Sequence, residues 1–405
     1  MTVDFMRTVD RYVGIPACLL LSFVHRLNPF TARTKPSSVK KILFLQISEM
    51  GSAISAYSAL RKAQAMFPDA ELYYFIFSEM QESVHLLNII PRERVLTVTS
   101  KSFFGFIGGL LRMIVTIRRM RFDAILDLEL FSRLSSLLSF LFGARYRAGF
   151  YRFHMEGLYR GTMQTHRVVY NHTRHISENF LALVYALAEA PGREPLSKVC
   201  IDENDIVRPR IPITPAGRRH IGDLLRRVCP SITPRHRIVL FNPNASELLP
   251  LRRWPMENYI ALAKRLVRDA RVIVAVTGAP SEARDADAIV AGVASERCVS
   301  LAGKTTLREL VDLYHCSHVL LSNDSGPPNF ASLTPIRVLV FFGPETPLCY
   351  KPLGNQIEAL YSSFACSPCV SAYNHRKSAC TENRCLQAIT VDEVYRRVTG
   401  ALKRS

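Results

Sequence analysis

From Lys40 onward, short continuously apolar runs alternate with stretches whose apolar residues recur every three or four positions. Ile42–Ile47 (ILFLQI), Glu71–Phe77 (ELYYFIF), Val95–Val98 and Ala124–Leu128 (AILDL) read as strands. Between them, Ser52–Phe67 carries Ala53, Ala56, Ala59, Leu60 and Ala63 at helical spacing and is closed by Pro68-Asp69. Phe103–Met120 reads as a helix with basic residues at its end. After a proline- and arginine-rich stretch near 208–236 the pattern restarts. Ile238–Asn242, Val272–Thr277, Val319–Ser322 and Val338–Phe342 read as strands, Met256–Arg268 and Leu307–Cys316 as helices. Strands that are apolar throughout, rather than alternating, predict a parallel sheet covered on both faces. The fold class is therefore α/β, with two αβ halves. Ligands of such sheets bind at the carboxyl ends of the strands, and the cleft between two facing halves is the default site.

The first 38 residues differ. Val13–Val24 (VGIPACLLLSFV) is nearly free of polar side chains and is flanked by Arg7, Arg11, His25, Arg26 and Arg33. It lacks the features of a signal peptide: Asp4 and Asp10 lie in the start, Pro16 interrupts the run, and no small-residue cleavage site follows. It reads as an apolar helix lying in a membrane interface with arginines towards acidic headgroups; the alternative is a helix packed on the body of the protein. Thr31–Ser38 reads as a linker. This divides the chain into 1–38, an amino-terminal domain over 39–215 and a carboxy-terminal domain over 216–405.

Composition narrows the classes. A chain of 405 residues suggests two to three domains. With 48% hydrophobic residues it is not disordered. No run approaches the ~20 apolar residues that span a bilayer. There are 52 Lys and Arg against 34 Asp and Glu, a net charge of +18, which favours anionic partners. Nucleic acid is one class, but no helix-turn-helix, zinc-finger or RNA-binding signature accompanies the charge.

Candidate chemistry concentrates in the second half. Ser322–Phe330 (SNDSGPPNF) lies between a strand and a helix. Asn323, Asp324, Ser325 and Gly326 there suit a phosphate or diphosphate cradle. Asn242–Pro255 (NPNASELLPLRRWP), Leu301–Leu310 (LAGKTTLREL) and Phe342–Pro344 (FGP) accompany it. Taken in order, and with the opening segment KKILFLQISEMGSAISAYSALRKA, these resemble glycosyltransferase family 9, the heptosyltransferases of bacterial lipopolysaccharide core. The resemblance covers about residues 40–390. It implies a GT-B fold of two Rossmann-like domains facing a central cleft. It further implies inverting, metal-independent transfer from an ADP-heptose-like nucleoside-diphosphate sugar to a lipid-linked or core acceptor. The place would be the cytoplasmic face of the inner membrane.

The family's base is an Asp in Ser-x-Leu/Met-Gly-Asp. This chain reads Ser48-Glu49-Met50-Gly51-Ser52, so Ser52 stands where the base belongs and Glu49 is the carboxylate left in that turn. Glu49 is expected to abstract the proton; the rival is a catalytically inactive glycolipid-binding protein. On the donor side the expectation names Asn244, Arg252, Arg253, Glu282 and Lys304. On the acceptor side it names Gly51, Arg133, Arg152, Arg160 and His166, with Arg147 nearby. Asn329 stands where many relatives carry His. Cys366, Cys369, Cys380 and Cys385 have spacing compatible with a structural zinc, with His375 as a spare ligand and free thiols as the alternative. No cofactor is expected for catalysis.

Overall fold

The computed structural model describes residues 3–27, 34–47, 49–154, 156–191, 195–245, 249–374 and 376–404. Ser48, His375, Arg33 and the 246–248 part of the NPN…RRWP segment lie outside the described residues. The described chain divides into two units, Met1–Val207 with Ala372–Arg376, and Arg208–Ser371 with Lys377–Ser405. The change falls at Val207, upstream of residue 215.

Unit 1 opens with α1 (Val3–Tyr12) and α2 (Gly14–Leu27). Then follow β1 (Lys41–Leu45), α3 (Met50–Ser55), α4 (Tyr57–Met66), β2 (Glu71–Phe77), α5 (Glu82–His85) and β3 (Val95–Val98). Next come α6 (Phe103–Met120), β4 (Ala124–Asp127), α7 (Arg133–Leu141), β5 (Tyr146–Phe150), β6 (His166–Val168) and α8 (Ile176–Leu187). The strands form a parallel sheet in the order β3-β2-β1-β4-β5-β6. Leu43, Leu45, Phe75 and Ile125 of the sheet pack with Phe106 and Ile117 of α6 and Leu138 of α7, so α6 and α7 share one face. The helix read over 52–67 is two, because the chain bends at Ala56. α6 starts at Ser102, whose hydroxyl accepts from Gly105 N–H. The amino-terminal helices belong to this unit: α2 packs on α7.

Unit 2 contains α9 (Pro215–Val228), β7 (Arg237–Asn242), α10 (Met256–Leu266), β8 (Val272–Val276), α11 (Ala283–Val293), β9 (Cys298–Ser300) and α12 (Leu307–His315). It continues with β10 (Val319–Asn323), α13 (Gly326–Ala331), β11 (Arg337–Phe342), α14 (Pro347–Tyr350), β12 (Ile357–Tyr361), α15 (Arg384–Gln387) and α16 (Val391–Lys403). Its parallel sheet runs β12-β11-β10-β7-β8-β9. α9 lies within the proline- and arginine-rich stretch near 208–236, to which the sequence pattern assigns no element. Thr214 caps it, Pro215 occupies its first turn, and Ile221, Leu224 and Leu225 bury its inner face. Its arginines lie on the solvent side.

Both sheets have the same strand order within their units. The direction of winding reverses between β1 and β4 in unit 1, and between β7 and β10 in unit 2. Loops leaving adjacent strands at such a point diverge and leave a crevice for a ligand.

Candidate active site

In unit 1 the loop after β1 carries Glu49, which is the N-cap residue of α3. Ser52 Oγ donates to Glu49 Oε2 at 2.5 Å. Arg376 Nη1 donates to Glu49 Oε1 in an ion pair. Arg376 is delivered by Ala372–Arg376, the segment that returns to unit 1. Tyr373 anchors that segment. Its ring lies 5.8 Å from Phe131, 5.5 Å from Tyr170 and 5.3 Å from His172, and its hydroxyl donates to Tyr170 O at 2.6 Å. Gly51 lies within α3, between Glu49 and Ser52.

The loop after β4 supplies a buried frame. Asp127, fully buried, pairs with Arg160 and accepts from Ser135 Oγ at 3.1 Å. Arg160 Nη1 donates to Glu129 O at 2.9 Å, and Glu129 Oε1 accepts from Ile47 N at 2.6 Å. The frame thus ties the end of β4 to the end of β1, just ahead of Glu49. Asp127, Glu129 and Arg376 were not among the expected residues. The acids of AILDLEL at a buried strand's carboxyl end were a usable signal for the first two. Nothing local marks Arg376.

The structure corrects three of the expected acceptor residues. Arg160 is engaged with Asp127. Arg133 is buried, donating to Tyr159 O at 2.8 Å and pairing with Asp10 of α1. His166 is fully buried and contacts Thr165 Oγ1 and Glu189 O; burial pushes its pKa down to about 4, so it is neutral. Arg147 is buried too, donating to Met163 O at 2.9 Å. Groups so enclosed present no charge to a ligand. Arg152 remains at the surface over the Tyr159 ring, at 5.7 Å.

In unit 2 the loops after β7 and β10 meet. Arg252 Nη1 lies 3.3 Å from Asp324 Oδ2, both side chains 12% exposed. Arg253 donates to Ala245 O at 2.9 Å. Asn323 is a structural knot, which corrects its expected contact with the donor. Its Nδ2 donates to Pro243 O at 2.6 Å, and its Oδ1 accepts from Trp254 N at 2.9 Å and Tyr259 Oη at 3.3 Å. Trp254 stacks on Phe341 at 4.5 Å and donates from Nε1 to Ile389 O, so the tryptophan of RRWP is a core residue that fixes the two arginines before it. Ser325 Oγ donates to Asn323 O, and Gly326 begins α13. Asn329 Nδ2 donates back to Ser325 O at 3.2 Å, so it braces the turn.

Asn244 and Glu282 approach each other over Gly278. A Cβ there would lie 3.0 Å from Glu282 Oε2 and 3.3 Å from Asn244 Nδ2, so glycine keeps that approach open. Asn244 Nδ2 and Arg252 Nε are buried and find no hydrogen-bond partner among the described residues. Buried donors left unpaired at strand ends favour a ligand rich in acceptors. A cavity of about 300 Å³ is lined by Asn244, Arg253, Trp254 and Asp285. Lys304 does not join this group: it donates to Ser300 O at 2.9 Å and lines a separate cavity with Arg227.

Cys366 and Cys380 are exposed, Cys369 and Cys385 half-buried. Burial first, and then the three neighbouring thiols, push the Cys385 thiol up. Cys369 Sγ lies 3.3 Å from Ser378 Oγ, and Cys380 Sγ donates to Glu382 O at 2.9 Å. Among the described residues no group of His, Cys, Asp or Glu is gathered as metal ligands.

The chain is 28% identical over 158 residues to the lipooligosaccharide heptosyltransferase 2 of Haemophilus influenzae, covering 38% of this chain and 45% of that protein. The chain therefore spans less than half the length of that relative. In structure it is similar to E. coli ADP-heptose LPS heptosyltransferase II, with a TM-score of 0.69 and 20% identity over 90% of this chain and 99% of that one. It is also similar to the E. coli heptosyltransferase WaaC with ADP-2-deoxy-2-fluoro heptose, with a TM-score of 0.59 and 14% identity over 89% of this chain and 99% of that one. These likenesses show the GT-B fold. The profile of glycosyltransferase family 9 (heptosyltransferase) matches residues 110–379, more than half of the chain, and the chain belongs to that family.

Proposed function

We propose that this protein is an inverting, metal-independent glycosyltransferase. It moves a heptose from an ADP-heptose-like donor to a lipid-linked or lipopolysaccharide-core acceptor at the cytoplasmic face of the inner membrane. The observation that carries the donor half is the Arg252–Asp324 pair beside the buried, unpaired donors Asn244 Nδ2 and Arg252 Nε. A diphosphate supplies the missing acceptors, and a planar guanidinium matches it bidentately. Glu282, beside Asn244, is suited to ribose hydroxyls.

In the transfer, the acceptor hydroxyl oxygen attacks the anomeric carbon as the bond to the diphosphate breaks. The hydroxyl proton passes to the Glu49 carboxylate. The negative charge that develops on the leaving diphosphate is held by Arg252. Ser52 orients Glu49 through its hydroxyl rather than taking the proton itself. Gly51 and Arg152 are the acceptor-side residues that stay in this reading.

The four carboxy-terminal thiols have no role in the chemistry. Among the described residues the thiols are not gathered as a ligand set for zinc. Dialysis against a chelator is expected to leave turnover unchanged.

The substitution of Ser52 for the family's Asp favours a second reading, a GT-B protein that binds glycolipid without transfer. Calorimetry with ADP, UDP and GDP tests the donor half. Selective binding of ADP that D324A abolishes is the expected result; no binding of any of the three removes the proposal and leaves the inactive reading.

A further inference from the structure

The large apolar side chains of unit 1 that face outward are not scattered. Among the described residues, most of the exposed ones lie between Tyr12 and Leu27 or between Phe103 and Val115. α2 is inside out. It turns Gly14, Cys18, Ser22 and His25 towards the domain, and Leu19, Leu20, Phe23, Val24 and Leu27 outward. The inward face is built for that orientation. Ser22 Oγ accepts from Thr162 N at 2.9 Å, and His25 packs edge-on against Phe140 at 5.8 Å. Gly161 has a φ of +80°, and a Cβ there would meet Ser22 Oγ at 2.7 Å, so the loop comes close because it carries glycine. A helix facing water shows the opposite arrangement.

α6 repeats the pattern. Phe106 and Ile117 bury its inner side, while Phe103, Phe104, Ile107, Leu111 and Val115 form an outward stripe, with Phe104 86% exposed. Both α2 and α6 pack against α7, so their stripes belong to one helical layer of one unit. Neither helix contains an acidic residue, and Arg26, Arg112 and Arg119 stand exposed at the rims. No described helix is long and apolar enough to cross a membrane. Apolar stripes on helices whose charged residues are all basic match a surface that is apolar beneath and anionic above. They do not match a second copy of the chain, because a twofold contact would set each arginine rim against itself.

We propose that the outward stripes of α2 and α6 form one docking face for an anionic lipid bilayer, with Arg26, Arg112 and Arg119 on the headgroup phosphates. This rests on the membrane-surface part of the reading above and extends it from the amino-terminal helix to α6, making the face part of the folded domain.

The test is co-sedimentation of the full chain with vesicles of phosphatidylcholine and phosphatidylglycerol, and with vesicles of phosphatidylcholine alone. Partition into the anionic vesicles is expected to fall at least about tenfold in L20E/F23E and equally in F104E/L111E. R112E/R119E is expected to erase the preference for anionic lipid. These positions are exposed, and unchanged circular-dichroism melting confirms that each variant is folded. If F104E/L111E partitions as the wild type while L20E/F23E does not, the two-helix face is overturned and the amino-terminal anchor stands. If both partition as the wild type, both fall. Equal binding to phosphatidylcholine alone overturns the anionic assignment. A dimer in light scattering that the same variants dissolve, with no vesicle binding, assigns the face to a second copy and overturns the proposal.

Discussion

The Glu49 carboxylate is ion-paired with Arg376, a residue 327 positions further along the chain. Arg376 holds a φ of +52°, a left-handed conformation unusual for a side chain with a Cβ. The ring cluster around Tyr373 holds the segment in place. The pair places a fixed cation beside the carboxylate proposed as base, so Arg376 is a positioning residue for Glu49.

R376A is expected to lower kcat about tenfold or more, since misplacing a reacting group by about 1 Å costs up to 10²-fold. The affinity for ADP is expected to stay unchanged, and R376K to recover part of the loss. Steady-state kinetics beside ADP calorimetry separates these; a variant that loses ADP affinity along with turnover contradicts the positioning role.

R252A removes a cation paired with Asp324. A charge-assisted hydrogen bond contributes about 1.5–3 kcal/mol, so ADP affinity is expected to drop roughly 10- to 100-fold. K304A, at the other cavity, is expected to bind ADP as the wild type does. The two dissociation constants, measured side by side, check the placement of the donor.

R160M leaves the Asp127 carboxylate buried without its partner. Unit 1 is expected to lose about 3–5 kcal/mol, because breaking a buried ion pair uncovers a charge that water no longer solvates. D127N/R160M is expected to recover part of that stability. Denaturant unfolding of the single and double variants measures both, and a single variant as stable as the wild type contradicts the frame.

Acid is expected to weaken unit 1 through His25 and His166. Burial pushes both pKa values down to about 4, from a usual value near 6.5. Between those values the unfolded chain binds protons that the folded chain refuses, so stability falls as pH drops from about 6.5 to about 4. Each histidine contributes about 2 kcal/mol of that loss by pH 5. H166N is expected to flatten the slope of unfolding free energy against pH over this window.

The strands that were legible in the sequence are β1, β2, β3, β4, β7, β8, β10 and β11; all but β3 are buried along nearly their whole length, so few polar residues interrupt their runs. β5 and β6 were not read as strands. Arg147 and His166 lie within them, and each is buried only because Met163 O, Thr165 and Glu189 O satisfy it. Those polar residues read as ligand groups, since spacing tells what a residue is near in the chain and not which way it faces. The same limit explains Asn323, which sits in the diphosphate motif yet holds Pro243 and Trp254. Glu49, Ser52 and Arg252 were named from the family motifs they resemble, and the structure sets Ser52 against Glu49 and Arg252 against Asp324. Arg376 was not, because a contact across 327 positions leaves no local pattern.

The most direct test of the account is turnover of the E49Q protein, measured as ADP released from ADP-heptose in the presence of a lipopolysaccharide-core acceptor. Loss of a general base costs about 10²- to 10⁴-fold. The account predicts a fall of that size in kcat with ADP affinity unchanged, because Gln keeps the shape and removes the proton acceptor. Turnover by E49Q equal to the wild type would contradict it, and would place the base elsewhere.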